Sequence, residues 1–129
     1  MFNHVQHISL HHKPSRRDYV AHKEAARRIV HDRLAYFRRH YADLGHVLSY
    51  HRVAVRNQRS RWGSCSKVGN LNFNYRLIHL RPELQDYIIV HELCHTKEFN
   101  HAPAFWTLVA VIIPDWRSLR AELRKISIQ

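Results

Sequence analysis

The sharpest chemistry in this chain is carried by five consecutive residues, His91-Glu92-Leu93-Cys94-His95. On a helix, residues four apart lie one above the other on the same face. Two imidazoles so placed converge on one ion at about 2.0–2.1 Å, the zinc–histidine bond length. Glu92 is turned around the helix from His91, so its carboxylate reaches a water beside the ion without taking a coordination position. In that place it acts as general base. A catalytic zinc needs a third protein ligand and an open position. His101, six residues after His95, is the candidate. Asn100 suits a left-handed turn that stops the helix and swings the next side chain back.

With 13 histidines in 129 residues, the five-residue motif alone is weak, and its weight comes from His101 and the helical context. The metzincins share this histidine spacing, but their glycine position holds Glu98 here, so that family is not assigned. The other histidines read as ordinary surface residues. His79 stands out, at the end of a strand with one polar face. His4, His7, His11 and His12 resemble a metal-binding tract by composition only, and a solvated terminus is the better reading. Cys94, between the two helical histidines, reads as a small buried hydrophobe. Cys65 lies in a loop. A thiolate there could inhibit by binding zinc, but no dispensable segment carries it, so a plain loop cysteine is the better reading.

The elements that must position these residues are legible as periodicities. Pro14-Ser15 opens a helix, with Ser15 as its cap. Ala26, Ile29, Val30, Leu34, Phe37, Tyr41 and Leu44 form its apolar stripe, and Gly45 ends it. Val53 and Val55 alternate with polar neighbours as in a half-buried strand. Residues 59–69 read as a loop. Residues 70–78 alternate again, with Leu71, Phe73, Tyr75 and Leu77 on one side and Asn70, Asn72, Asn74 and Arg76 on the other. Pro82 starts a helix running to about residue 98. A short helix opens at Pro103, Pro114 interrupts it, and Asp115 caps a last helix with the stripe Trp116, Leu119, Leu123 and Ile126. Residues 1–13 read as a strand or a flexible tail. The order predicts a single α+β domain over 1–129.

Composition narrows the class. Two cysteines are too few for a secreted disulfide scaffold of this size. The start of the chain lacks an apolar run suited to a signal peptide, and the longest apolar run, 108–113, is too short to span a bilayer. A cytoplasmic protein with no membrane partner is expected. Lys and Arg number 21 against 10 Asp and Glu, a net charge of +11. That field attracts polyanions, so non-specific nucleic-acid binding through the basic surface stands beside a plain solubilising coat. Arg16, Lys23 and Arg27 share one helical face, and Arg117, Arg120 and Arg124 share another.

Several blocks in order resemble a known family: Arg61-Trp62-Gly63-Ser64-Cys65-Ser66, then Leu71-Asn72-Phe73-Asn74-Tyr75-Arg76-Leu77, Asp86-Tyr87, the histidine motif, Asn100-His101 and Phe105-Trp106. Together they are similar to the YgjP-like metallopeptidase domain, a relative of the SprT-like zinc proteases, from about residue 20 to 125. The resemblance implies a minimal zincin-like core. In it a long N-terminal helix and a small β-sheet pack on the active-site helix, with C-terminal helices after it. It implies zinc on His91, His95 and His101 and catalysis by Glu92. Members usually carry an additional N-terminal β-rich segment, which is short here. Tyr75 stands where tryptophan is common and Ala102 where serine is common, the latter weakening a helix cap.

The expected activity is zinc-dependent peptide hydrolysis. Asn74, Tyr75 and Arg76 are candidate substrate-binding residues, and with His79 they are candidate oxyanion donors. The strand over 70–77 reads either as the edge that pairs with an extended substrate or as an ordinary solvated strand. Two alternatives stay open. A nucleic-acid-binding module with a structural zinc would usually have four ligands rich in cysteine, and would leave Glu92 without a task. A zinc hydrolase of a non-peptide amide would use the same chemistry.

Overall fold

The computed structural model describes residues 16–128, so the expected Ser15 cap and the strand or tail over 1–13 lie outside the described residues. The first described helix, α1 (Arg16–Asp43), buries Ala26, Val30, Leu34, Phe37 and Tyr41, the predicted stripe. It ends as the sequence predicts. Gly45 takes φ 91°, His46 N–H donates to Tyr41 O at 2.8 Å and Gly45 N–H to Ala42 O at 3.0 Å. This pair of bonds closes a helix through a left-handed glycine, satisfying carbonyls that otherwise lack donors. Leu44, read as the last stripe residue, lies past the helix end and is exposed.

Three strands follow: β1 (Arg52–Arg56), β2 (Gly63–Cys65) and β3 (Asn70–Asn74). The sheet order is β1-β3-β2, with β1 parallel and β2 antiparallel to β3. Val53 sits opposite Leu71 and Val55 opposite Phe73. The period of two thus puts the branched and aromatic side chains of both strands on one face. β3 is shorter than its alternation predicts. Asn74 Oδ1 accepts from Arg76 N–H at 3.1 Å, and the chain turns into a 3-10 helix, Tyr75–His79. A side-chain acceptor there offers the backbone an alternative to the next ladder bond. β3 is also the central strand, so of its two readings the substrate-pairing edge is ruled out and the ordinary sheet strand holds: both its sides are already paired.

Helices α2 (Pro82–His95), α3 (Pro103–Ile112) and α4 (Trp116–Arg124) complete the α+β architecture. Pro82 opens α2, where its missing N–H costs nothing. Leu84, Tyr87, Ile88, Ile89, Val90, Leu93 and Cys94 are all buried, so α2 is covered nearly all round by α1, β2, α3 and α4. Tyr41 ties these layers together. Its hydroxyl donates to Leu108 O at 2.8 Å and accepts from Cys94 Sγ at 3.2 Å. Burial pushes the Cys94 thiol up to about 12, in keeping with the buried-hydrophobe reading. Arg33 grips Asp86 and Arg81 grips Glu122 through paired bonds, linking α1 to α2 and the start of α2 to α4.

α2 stops three residues earlier than expected. Thr96 Oγ1 donates to Leu93 O at 2.6 Å, and Glu98 N–H to Cys94 O at 2.9 Å. The turn needs no left-handed residue, since no described non-glycine residue, Asn100 included, has positive φ. Asp115 occupies the cap position of α4, but its side chain makes no capping bond. Ala102 likewise caps α3 without a side-chain bond. Among the described residues no helix is long and apolar enough to cross a membrane.

Candidate metal centre

His91 and His95 project from the last turns of α2, and the segment 96–102 returns His101 to them. His101 Nε2 lies 2.9 Å from His95 Nε2 and 3.2 Å from His91 Nε2. One ligand atom from each residue falls within 4.8 Å of the others, the separation at which three imidazoles share one cation. The second nitrogen of His95 is engaged: Nδ1–H donates to Glu98 O at 3.0 Å, which leaves the lone pair on Nε2. Nδ1 of His91 lies 3.2 Å from Glu92 Oε2. Desolvation, with the neighbouring imidazoles, pushes the buried His95 and the more open His101 below the ordinary imidazole pKa, which favours the neutral form that coordinates. The donor set fits a metal such as zinc.

α3 holds the rings. Phe105 stacks on His95 with centroids 4.2 Å apart and planes at 18°. Trp106 stacks on His101 at 5.6 Å and 20°, and Trp116 stacks on Trp106 at 4.0 Å. Sequence reasoning saw these aromatics only as helix stripes and family blocks. Gly63 was missed as well. A Cβ there would lie 3.0 Å from Glu92 Cγ and 3.2 Å from Asn72 O, so β2 comes this close to the buried Glu92 only as glycine.

The remaining candidates are distributed differently. Asn74 is 0 % and Arg76 5 % exposed, and Tyr75 is buried beside them. Asn74 Nδ2 donates to Gln58 O at 2.9 Å and Arg61 O at 3.1 Å, and Arg76 Nη1 donates to Gln58 O at 2.8 Å. Tyr75 donates to Asp18 Oδ2 at 2.6 Å, and the Arg76 guanidinium lies 4.7 Å over the Tyr75 ring. Asn74 and Arg76 sit behind the loop 58–61 and hold it in place, whereas Tyr75 is turned to α1. His79 packs against His22 at 5.4 Å, apart from the triad. Cys65 is half-buried, its Sγ donating to Ser66 O at 3.3 Å. Burial, then the charge of Glu92, push its thiol up to about 11. It is not brought into the histidine cluster.

A cleft of about 640 Å³ opens beside the cluster. His91, Glu92 and Tyr87 line its floor, with the loop 59–63 on one side and α4 with residues 126–128 on the other.

The profile of the YgjP-like metallopeptidase domain matches residues 3–126. The chain belongs to the YgjP-like metallopeptidase family. Its fold is similar to that of the metallopeptidase zymogen of Pyrococcus abyssi abylysin, with a TM-score of 0.63 and 24% identity over 74% of this chain and 92% of that one. It is also similar to the metallopeptidase zymogen of Methanocaldococcus jannaschii jannalysin, with a TM-score of 0.56 and 21% identity over 78% and 94%. At such identities the likeness is one of fold. Comparison with curated proteins gives no match. As a YgjP-like metallopeptidase the chain acts on protein or peptide substrates with a metal ion, and His91, His95 and His101 are the group able to hold one among the described residues.

Proposed function

We propose that this YgjP-like metallopeptidase is a zinc enzyme in which His91, His95 and His101 hold the ion and Glu92 is the general base. The observation that carries the reading is the convergence of three Nε2 atoms beside a buried carboxylate. Neutral imidazoles without thiolate or carboxylate suit zinc. Zinc bound there supplies Lewis acidity to the scissile carbonyl.

The other steps fall to the chain's own residues. Glu92 takes one proton from the attacking water as its oxygen bonds to the carbonyl carbon. It then delivers that proton to the amide nitrogen as the carbon–nitrogen bond breaks. The narrow approach of Gly63 keeps Glu92 against His91 and out of bulk water. Because β3 is central, the strand suited to pair with an extended substrate is β2. It is the sheet edge on this side, and Gly63 lines the cleft. Asn74 and Arg76 then act on the substrate through the loop they hold.

Elemental analysis and X-ray absorption test the ligand set. About one zinc per chain in a shell of nitrogen and oxygen is expected. A sulfur scatterer would overturn the three-histidine assignment. Casein or peptide cleavage that stops with a chelator and returns with zinc tests the activity. Zinc-loaded protein that cleaves no peptide would turn the reading to another amide.

A further inference from the structure

Two arginines stand on each wall of the cleft beside Glu92. Arg59 and Arg61 come from the loop that leads into β2. Arg120 and Arg124 come from α4, four residues apart and so on one helical face. None of the four forms an ion pair among the described residues. By contrast Arg27, Arg33 and Arg81 are matched by Glu24, Asp86 and Glu122. Glu92 is the one carboxylate among the cleft's lining residues. Arg120 is half-buried and held in place, its guanidinium 5.3 Å over the Trp106 ring that stacks on His101.

Arginines collected around a concavity with apolar side chains such as Leu123 focus a positive field on whatever enters it. A guanidinium presents a planar fork of donors that matches a carboxylate two bonds at a time. The cleft lies directly against the proposed general base, so an anion seated in it belongs to the molecule being cut. We infer that the cleft is a carboxylate subsite, and that the enzyme selects peptides with an acidic group close to the scissile bond. This rests on the peptidase reading above. The group has two possible sources, an Asp or Glu side chain and the C-terminal carboxylate of the substrate.

Two measurements test it. The first needs no turnover: binding of rhodamine-labelled peptides to the full chain by fluorescence anisotropy. Matched peptides carry Glu or Gln at one position, and a free or amidated C-terminus. Tighter binding of a carboxylate form by about tenfold or more is expected, weakening with salt. The Glu–Gln pair and the acid–amide pair tell the two sources apart. Arg120→Gln and Arg124→Gln should each shrink the ratio, and Arg120→Glu should reverse it. Arg28→Gln and Arg39→Gln on α1, outside the cleft's lining, each remove the same single charge and should leave the ratio in place, as should the two combined when set against Arg120→Gln with Arg124→Gln. Equal affinities for carboxylate and amide forms overturn the subsite. So does a ratio that responds as strongly to the α1 variants as to the cleft variants of equal charge, since that assigns it to overall charge. An oligonucleotide that binds this cleft while the peptides remain indifferent to the carboxylate assigns it to phosphate and also overturns the proposal. The second measurement is kcat/KM on the same peptides with zinc-loaded protein, where the same ratio is expected. If no peptide is cleaved but the binding ratio holds, the peptidase reading fails and the subsite stands. If cleavage occurs with no carboxylate preference, the reverse is true.

Discussion

The three histidines lie within residues 91–101, two of them one helical turn apart, whereas the cleft beside them takes one wall from residues 59–63 and the other from 120–128. The cluster is held by a helix and by aromatic rings from the next helix. The loop wall is held by side chains that cross 13 to 18 residues of sequence, from Asn74 and Arg76 to the carbonyls of Gln58 and Arg61. Local geometry makes the first region stiff and tolerant of side-chain loss. The second depends on a few buried bonds, and loses shape when one is removed. Variants in the cluster should therefore change chemistry while sparing the fold, and variants behind the wall should do the opposite.

The largest effect is expected from Glu92→Gln. Hydrolysis should fall by about 10²–10⁴-fold, because an amide cannot accept the proton from water. Zinc content and thermal stability should stay near wild type, and turnover near wild type would remove the general-base role. His101→Ala comes next. Zinc affinity should drop at least about 100-fold. The exposed position makes the metal-free protein's stability nearly indifferent, within about 0.5 kcal/mol by denaturant titration. A large loss of metal-free stability would erase the contrast between the two regions.

Asn74→Ala probes the wall. It leaves the carbonyl of Arg61 without this donor and weakens the hold on Gln58, at a cost of about 2–3 kcal/mol of folding stability. The loop 58–62 should be cut faster by added protease while zinc binding persists. Unchanged stability would show that the loop stands without its brace. Gly63→Ala joins the two regions, since the new methyl meets Glu92 on one side and the backbone oxygen of Asn72 on the other. A fall in kcat of about tenfold is expected from the displaced carboxylate. A fall in zinc affinity instead would show that β2 supports the ligands rather than the base.

The smallest effect is one of pH. Burial, with His22 and Arg76 nearby, holds His79 below its ordinary value of 6.5, against the opposing pull of Asp18. The folded state therefore binds the proton less readily than the unfolded chain. Stability present above pH 6.5 is lost as pH falls through 6.5 towards the lowered folded value. His79→Gln should flatten that limb of the stability curve. Parallel curves for variant and wild type would mean that His79 titrates alike in both states.

The histidine motif, α1 and its glycine stop, and the start of α2 were legible because each is written in residues three to five apart, where helix geometry fixes who meets whom. The sheet order was not, because alternation assigns a face to each side chain and says nothing of which strand lies alongside. Asn74 and Arg76 show the consequence. Their polar character on the outward face of an alternating strand suggested contact with substrate, yet that face is covered by the loop they bond to. Arg59 and Arg61 lie in a segment that reads only as a loop, and it is the packing of α4 opposite them that gives them a cleft to line.

The bond from His95 Nδ1 to Glu98 O has a consequence for how this molecule would appear in a survey of its own variants. The acceptor is a main-chain carbonyl, which every amino acid brings with it. A saturation scan at position 98 should thus score most substitutions as tolerated, although that carbonyl sets the orientation of His95. The contribution is robust to point mutation and invisible to it. Converting the peptide unit between residues 98 and 99 to an ester weakens the carbonyl as an acceptor while leaving every side chain unchanged, and so separates the part played by the backbone from the part played by the genetic code.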